Sequence, residues 1–169
     1  LQSTLSIEDH SSCDYKKLDK FNLVVEKGIR INNKNIIFED NYWKISGSHD
    51  GYLKKFKTIH EREIEFYPEQ MKFIGFDKLL KKDKSKNIKF DIRFHLTPDT
   101  KVMKTQDNKS ILIELEDEGW KFNCDNFNIN IDNGLYLGIK NSYKENQNIC
   151  ISGICQDDVQ TIKWEITRL

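Results

Sequence analysis

Segment 43–66 concentrates the side chains of this sequence that could take part in acid–base or anion-binding chemistry. Its candidate residues are His49, Asp50, Tyr52, His60 and Arg62. An imidazole can hold or transfer a proton near neutral pH. A guanidinium can bind a carboxylate through two parallel hydrogen bonds. We therefore expect a substrate-binding or domain-interface site to draw on this segment.

The sequence His49-Asp50-Gly51-Tyr52 permits two interpretations. In the first, Gly51 lets the backbone bend and brings the three side chains to one edge, where the Asp50 carboxylate orients the imidazole and raises its basicity. In the second, the segment is a capped turn in which Tyr52 packs flat and no site forms. The sequence leaves both open.

Residues 58–66 alternate in the manner of a β-strand. His60 and Arg62 share a face with Ile64 and Phe66, while three glutamates occupy the opposite, water-facing side. An ionisable group on a half-buried face needs a partner. We expect His60 and Arg62 to form a buried polar network, unless they belong to a site.

Residues 87–96 show the clearest alternation in the chain, with five apolar side chains on one face and four ionisable ones on the other. Arg93 and His95 lie on the ionisable face. They could bind a carboxylate, with Arg93 acting as a two-pronged donor. Alternatively, they pair with Asp91 or with a glutamate of a neighbouring strand.

The whole sequence predicts an all-β fold, an antiparallel β-sandwich of about a dozen strands in two large stacked sheets. It contains no alanine and only two prolines, and its short apolar runs are separated by polar turns. By length, residues 1–169 form a single domain. Asn133-Gly134 predicts a two-residue hairpin turn. Trp43, Trp120 and Trp164 are each expected in the core rather than as sugar-stacking platforms.

Charge and cysteine content narrow the functional classes. The 27 basic and 27 acidic residues cancel, which argues against nucleic acid as a partner, and no apolar run is long enough for a membrane span. The basic run 78–86 is expected to be a solvated loop, or alternatively a lip that contacts an acidic glycan. The cysteines show no metal-binding spacing and are expected to be structural thiols, with disulfides left open: Cys13, Cys124, Cys150 and Cys155.

Six motifs in order along the chain resemble the C-terminal β-sandwich domain of the heparinase II/III-like proteins. They are STLSIED from Ser3, WKISGSHDGY from Trp43, IHERE from Ile59, FDIRFHLTPD from Phe90, GWKF from Gly119 and the closing IKWEITRL. The resemblance covers essentially the whole chain. Because the chain also begins without methionine, we expect it to be a piece of a longer protein.

The resemblance implies a parent protein with an upstream α/α-toroid domain that acts as a polysaccharide lyase on uronate-containing glycans such as glycosaminoglycans. In such a β-elimination, a base removes the proton α to the carboxyl group and an acid protonates the leaving oxygen. The family's main catalysts lie outside this segment, so we expect no catalytic residue here. The fragment alone is expected to be inactive and to line the substrate cleft. A carbohydrate-binding module and a structural support domain are the alternatives.

One position departs from the family pattern. Members commonly carry a histidine before the Ser/Asn-Thr-Leu motif, and in metal-containing members that histidine helps to bind zinc. Here the position is Gln2, and an amide is a poor zinc ligand. We therefore expect no metal and no cofactor in this chain. By the same family analogy, a bacterial periplasm or cell envelope is the expected location.

Overall fold

The computed structural model describes residues 3–19, 23–136, 138 and 142–169, which form two large facing antiparallel sheets and a separate two-stranded sheet. These residues contain 14 strands: β1 (Thr4–Ile7), β2 (Asp14–Lys17), β3 (Leu23–Lys27), β4 (Ile31–Glu39), β5 (Tyr42–His49), β6 (Thr58–Tyr67), β7 (Lys72–Lys81), β8 (Ile88–His95), β9 (Lys101–Lys104), β10 (Ser110–Glu114), β11 (Gly119–Cys124), β12 (Asn128–Tyr136), β13 (Lys144–Cys155) and β14 (Val159–Arg168). A helical turn, α1 (Leu53–Phe56), and a 3-10 turn (Pro68–Gln70) complete the set. The predicted antiparallel β-sandwich is confirmed.

The larger sheet has eight strands in the order β4-β5-β6-β7-β14-β11-β10-β9, and the smaller has four in the order β1-β8-β13-β12. Strands β2 and β3 pair separately as a hairpin. The core lies between the two large sheets. The larger sheet contributes Leu79, Ile111, Phe122, Ile162 and Trp164, and the smaller contributes Leu5, Ile7, Phe90, Ile92, Ile149 and Ile151.

The alternation of β8 positions both the core and the ionisable face as predicted. Ile88, Phe90, Ile92 and Phe94 are buried, whereas the residues between them are half-buried or exposed. Arg93 pairs in register with Thr4 of β1 on one side and with Cys150 of β13 on the other. The outer face of the smaller sheet therefore carries the polar side chains of all these strands.

One end of the larger sheet carries a row of aromatic rings that runs from its edge toward the core. Phe38 and Trp43 have ring centroids 5.1 Å apart, and Trp43 lies 5.2 Å from Phe66. Phe66 stacks on Phe73 at 4.3 Å. Phe38 is 74% exposed and Trp43 is 44% exposed. The prediction that Trp43 belongs to the core is therefore wrong, whereas Trp164 is buried as expected.

The predicted turn at Asn133-Gly134 is also wrong, because β12 continues through it and Gly134 pairs with Asn146 of β13. No glycine among the described residues has a positive φ. Gly134 instead makes room: a Cβ there would overlap Asn148 Nδ2 and would lie 2.9 Å from Asn146 Oδ1. Two buried amides on the facing strand thus explain the glycine.

The basic run 78–86 is more ordered than the sequence indicated. Residues 78–81 of the run predicted as a solvated loop belong to β7, where Leu79 is fully buried. Lys81 is also buried, and its ammonium donates to three carbonyls, including that of Gln156 at 2.8 Å. A second lysine-rich segment, 54–57, lies in α1 and at its C-cap.

The cysteines are free thiols, and Cys150 and Cys155 are buried on opposite faces of β13, because an odd spacing along a strand places two side chains on opposite sides. Burial raises the pKa of the Cys150 thiol to about 11 and that of Cys124 to about 12. These thiols are therefore protonated at neutral pH. Within the described residues, no helix is long and apolar enough to cross a membrane.

Candidate functional site

A cavity of about 700 Å³ lies beside β1, the edge strand of the smaller sheet. Four of the seven predicted site residues line it, namely His49, Tyr52, Arg93 and His95, together with Ser6 and the loop from Asp9 to Cys13. These residues come from two different sheets. The cavity therefore exists only because β1 brings the smaller sheet against the end of β5. Asp50 faces a neighbouring cavity, while His60 and Arg62 line neither.

His60 and Arg62 meet at the carboxylate of Asp77, which is fully buried under the smaller sheet. His60 Nε2 lies 2.6 Å from Asp77 Oδ1, and Arg62 contacts both carboxylate oxygens at 2.8 and 3.1 Å. Trp164 Nε1 donates to Oδ2 at 2.9 Å. Gly75 permits this contact, because a Cβ there would overlap the Trp164 indole. The predicted polar network of His60 and Arg62 is thus present.

The electrostatics of Asp77 follow from these contacts. Burial opposes ionisation of the carboxyl group, but the hydrogen bond from His60 and the charge of Arg62 outweigh burial and hold the pKa of Asp77 below its ordinary value. The group is therefore an ionised carboxylate with four donors around it. Such an arrangement fixes the side chains that surround it.

A chain of hydrogen bonds connects this network to the cavity wall and fixes the tautomer of both histidines. The Gly51 N–H donates to His49 Nδ1 at 3.2 Å, so His49 carries its proton on Nε2. That Nε2 lies 3.0 Å from His60 Nδ1 and donates to it. His60 in turn carries its proton on Nε2, which faces Asp77. Both nitrogens of His49 are thereby occupied.

His49 is held neutral by its surroundings. Burial lowers its pKa to about 4, with further lowering by His60 and Arg62 and an opposing effect of Asp50. Asp50 makes no hydrogen bond to the imidazole, and its Oδ1 accepts the backbone N–H of Arg30 at 2.9 Å. The charge of Asp50 raises the pKa of His49 as the first interpretation expected, but burial outweighs that effect, and Asp50 does not orient the imidazole. His60 and Gly51 do the orienting.

Tyr52 matches the alternative interpretation of a packed turn. It is 1% exposed, and its hydroxyl donates to the carbonyl of Leu5 at 2.6 Å. Burial raises the pKa of Tyr52 to about 12. This contact joins the turn after β5 to β1, so Tyr52 closes the floor of the cavity.

His95 has a different hydrogen-bonding state. Asn146 Nδ2 donates to the carbonyl of Leu96 at 2.6 Å and to Asn148 Oδ1 at 3.1 Å. Asn148 Oδ1 therefore faces His95 Nδ1 at 2.9 Å as an acceptor, and Nδ1 must carry the proton. In the neutral ring this leaves a lone pair on Nε2. No hydrogen bond within the described residues engages that atom.

Arg93 is loosely held at the mouth of the cavity. Its guanidinium lies 3.5 Å from Asp91, 3.7 Å from Asp132 and 3.4 Å from Ser6 Oγ, and the side chain is 35% exposed. The pairing with Asp91 that the sequence offered as an alternative is therefore present but long. Surface contacts of this length contribute little energy. The guanidinium can exchange them for an anionic ligand.

Sequence analysis missed Asp77 and Asn148. Asp77 had a recognisable signal, because Phe73, Gly75, Asp77 and Leu79 occupy one face of β7 and a carboxylate in that register demands partners. Asn148 had no such signal. Gln2 lies outside the described residues. Among the described residues, no group of three or more His, Cys, Asp or Glu side chains could hold a metal ion.

These features define an antiparallel β-sandwich domain with a cavity walled by a guanidinium and imidazoles. The sequence profile described as Heparinase II/III-like, C-terminal matches residues 2–165, and the chain belongs to this family. A comparison with curated protein sequences gives no match.

Solved structures share the fold. The heparan sulfate lyase HepC of Pedobacter heparinus matches with a TM-score of 0.75 at 12% identity, over 98% of this chain and 24% of that one. The crystal structure of heparinase III matches with a TM-score of 0.66 at 13% identity, over 99% of this chain and 23% of that one. The chain thus spans about a quarter of these proteins.

Proposed function

We propose that residues 1–169 form a single domain, the C-terminal sandwich of a polysaccharide lyase-like protein that acts by β-elimination on uronate-containing, acidic glycans. In this proposal the domain walls one side of the substrate cleft and supplies contacts, while the main catalytic groups lie elsewhere in the longer protein. Support comes from the family and from the cavity beside β1, where His49, Tyr52, Arg93 and His95 meet.

Within this cavity, the weakly paired guanidinium of Arg93 carries the proposal. A uronate carboxylate or a sulfate would displace the long contacts to Asp91 and Asp132 and form shorter, charge-assisted hydrogen bonds. His95 lines the same cavity, and its Nε2 lone pair can accept a hydrogen bond from a sugar hydroxyl. His49 and Tyr52 shape the wall, because their polar atoms are already bonded.

The test is an ultraviolet assay for unsaturated uronate ends, run on the natural full-length protein that contains this chain, with heparan sulfate and alginate as substrates. We expect Arg93→Ala to lower kcat/KM at least roughly tenfold, the value of about one charge-assisted hydrogen bond. Lys101→Ala, which removes a cation at the opposite edge of the larger sheet, is the control. Full activity of Arg93→Ala with an intact fold would refute the role of the cavity.

A second surface supports the proposal that the domain is part of a larger assembly. Four large apolar side chains on neighbouring strands β4 and β5 are between 44% and 74% exposed: Ile36, Phe38, Trp43 and Ile45. Contiguous apolar patches of this kind are typical of protein interfaces. The matched lyase structures are about four times longer than this chain. We assign the patch to contact with the remainder of the protein, expected to be an α/α-toroid.

The family alternatives remain a carbohydrate-binding or support domain without a share in catalysis. The proposed substrates are extracellular polymers, so the proposal places the protein in a bacterial periplasm or cell envelope. Loss of this domain from the full-length protein should abolish or strongly reduce product formation. Unchanged kcat/KM after that deletion would favour a support role.

A further inference from the structure

A second cavity, of about 400 Å³, lies on the other side of the turn that follows β5 and is lined by three lysines. These are Lys54 of α1, Lys57 at its C-cap, and Lys82, which follows β7. Asp50 and Gly51 line this cavity, whereas the adjacent His49 and Tyr52 line the first one, and Ser12 belongs to both. The two cavities are therefore neighbours across one turn.

Within the described part of the chain, the three ammonium groups outnumber the carboxylates that line the cavity. No ion pair there engages any of them, although lysines elsewhere, such as Lys44 and Lys72, contact carboxylates at 2.7 and 2.9 Å. The cavity has two carboxylates of its own. Asp50 also accepts the backbone N–H of Arg30 and Asp14 lies on exposed β2, so the lining carries three ammonium groups against two carboxylates. Unpaired like charges at one cavity repel one another, and a bound anion relieves that repulsion.

Backbone hydrogen bonds fix the main chain that carries Lys57 and Lys82, while all three lysine side chains are exposed. The Lys57 N–H donates to the carbonyl of Leu53 at 3.1 Å, and the Lys82 N–H donates to the carbonyl of Lys57 at 2.8 Å. Lys57 has a φ of 53°, the left-handed conformation in which glycine is the usual residue at this helix position. A lysine there costs backbone energy that glycine would avoid.

We propose that Lys54, Lys57 and Lys82 form a subsite for a sulfate or carboxylate group of an acidic glycan whose neighbouring sugar occupies the cavity of Arg93 and His95. This subsite rests on the proposed function. The subsite would extend the binding surface from the first cavity, beside β1, past the turn at residues 50–52 to the second cavity. A sulfate fits the three ammonium groups because its oxygens can accept from several donors at once.

The experiment measures the binding of size-defined heparan sulfate oligosaccharides by titration calorimetry, using the natural full-length protein. We expect the triple variant K54Q/K57Q/K82Q to raise Kd roughly tenfold or more, equivalent to about one charge-assisted hydrogen bond. The control variant K101Q/K104Q/K109Q makes the same charge change near β9 and should stay within about twofold of the wild type. An unsulfated oligosaccharide of equal length distinguishes the two anions. If the subsite binds a sulfate, the triple variant and the wild type should bind this oligosaccharide with equal Kd, whereas a carboxylate subsite should still show the rise in Kd.

Lys57→Gly guards against a folding artefact, since it removes the ammonium and relaxes the left-handed backbone. Its melting temperature should equal or exceed that of the wild type while its Kd rises. Wild-type affinity in the triple variant, or equal losses in both triple variants, would overturn the subsite and leave the proposed function standing. If the wild-type protein binds no acidic glycan, the proposed function fails and the subsite fails with it.

Discussion

His49 Nε2 donates a hydrogen bond to His60 Nδ1 across 3.0 Å, which links a residue of the cavity wall to the buried carboxylate of Asp77. The rings lie nearly perpendicular, at 80°, and face each other in register on β5 and β6. The tautomers of His49 and His60 in this series of hydrogen bonds follow from the Gly51 N–H at one end and the Asp77 carboxylate at the other. Orientation of His49 is therefore decided by residues that never reach the cavity.

Asp77 should be the most sensitive polar position in the domain. Asp77→Ala leaves His60, Arg62 and Trp164 without their shared acceptor in a buried location, so we expect a loss of about 3–5 kcal/mol in the free energy of unfolding. Urea denaturation followed by fluorescence measures this loss. Asp99→Asn, at an exposed carboxylate, should change the value by less than about 0.5 kcal/mol. Similar free energies of unfolding for the two variants would contradict a stabilising role of the Asp77 network.

The lowered pKa of His49 predicts a pH dependence of stability. Between pH 6.5 and about 4, the unfolded chain protonates His49 and the folded chain does not. The contribution of neutral His49 to the free energy of unfolding is therefore fully present above pH 6.5 and is lost as the pH falls toward 4. The contribution of Asp77 to stability is fully present above its ordinary pKa of 3.8 and is lost only below that pH, because its folded pKa is lower still.

The measurement is the free energy of unfolding at pH 7, 6, 5 and 4. His49→Gln should reduce the slope in this interval, while His10→Gln, at an exposed loop histidine, should keep it. An unchanged slope in His49→Gln would show that His49 does not carry the effect.

Gly134→Ala tests the reason for the glycine within β12. Its Cβ would overlap the Asn148 amide, which also holds His95 Nδ1, so we expect a loss of about 1–3 kcal/mol in stability. Gly47→Ala is the control, because its Cβ would lie 3.8 Å from the nearest side-chain atom. If Gly134→Ala is as well tolerated as Gly47→Ala, the amides do not require the glycine.

Phe38→Ser tests the proposed apolar interface. Because Phe38 is 74% exposed, its replacement should change the stability of the 169-residue chain by no more than about 0.5 kcal/mol. In the full-length protein, the same change should lower the melting temperature or increase protease sensitivity between domains. Thr161→Ser on β14 is a mild surface control. Equal behaviour of Phe38→Ser in both proteins would argue against a covered surface.

Local patterning determined the fold class and the burial of particular strands. The period-two alternation of residues 88–95 separated core from polar face correctly, since a strand places successive side chains on opposite sides of its sheet. The same rule placed His60 and Arg62 on one half-buried face and predicted that they need a partner. Such inferences require only neighbours in the sequence.

The tertiary structure decided what those residues contact. Asp77 lies 17 residues from His60, and Asn148 lies 53 residues from His95, so only strand pairing brings them together. Gly134 looked like a turn because its packing partners lie on β13, and Trp43 looked buried because alternation cannot show where the covering sheet ends. The sequence by itself therefore determined the sandwich and its polar faces, whereas sheet order and register determined the site, because those long-range pairings have no local signature.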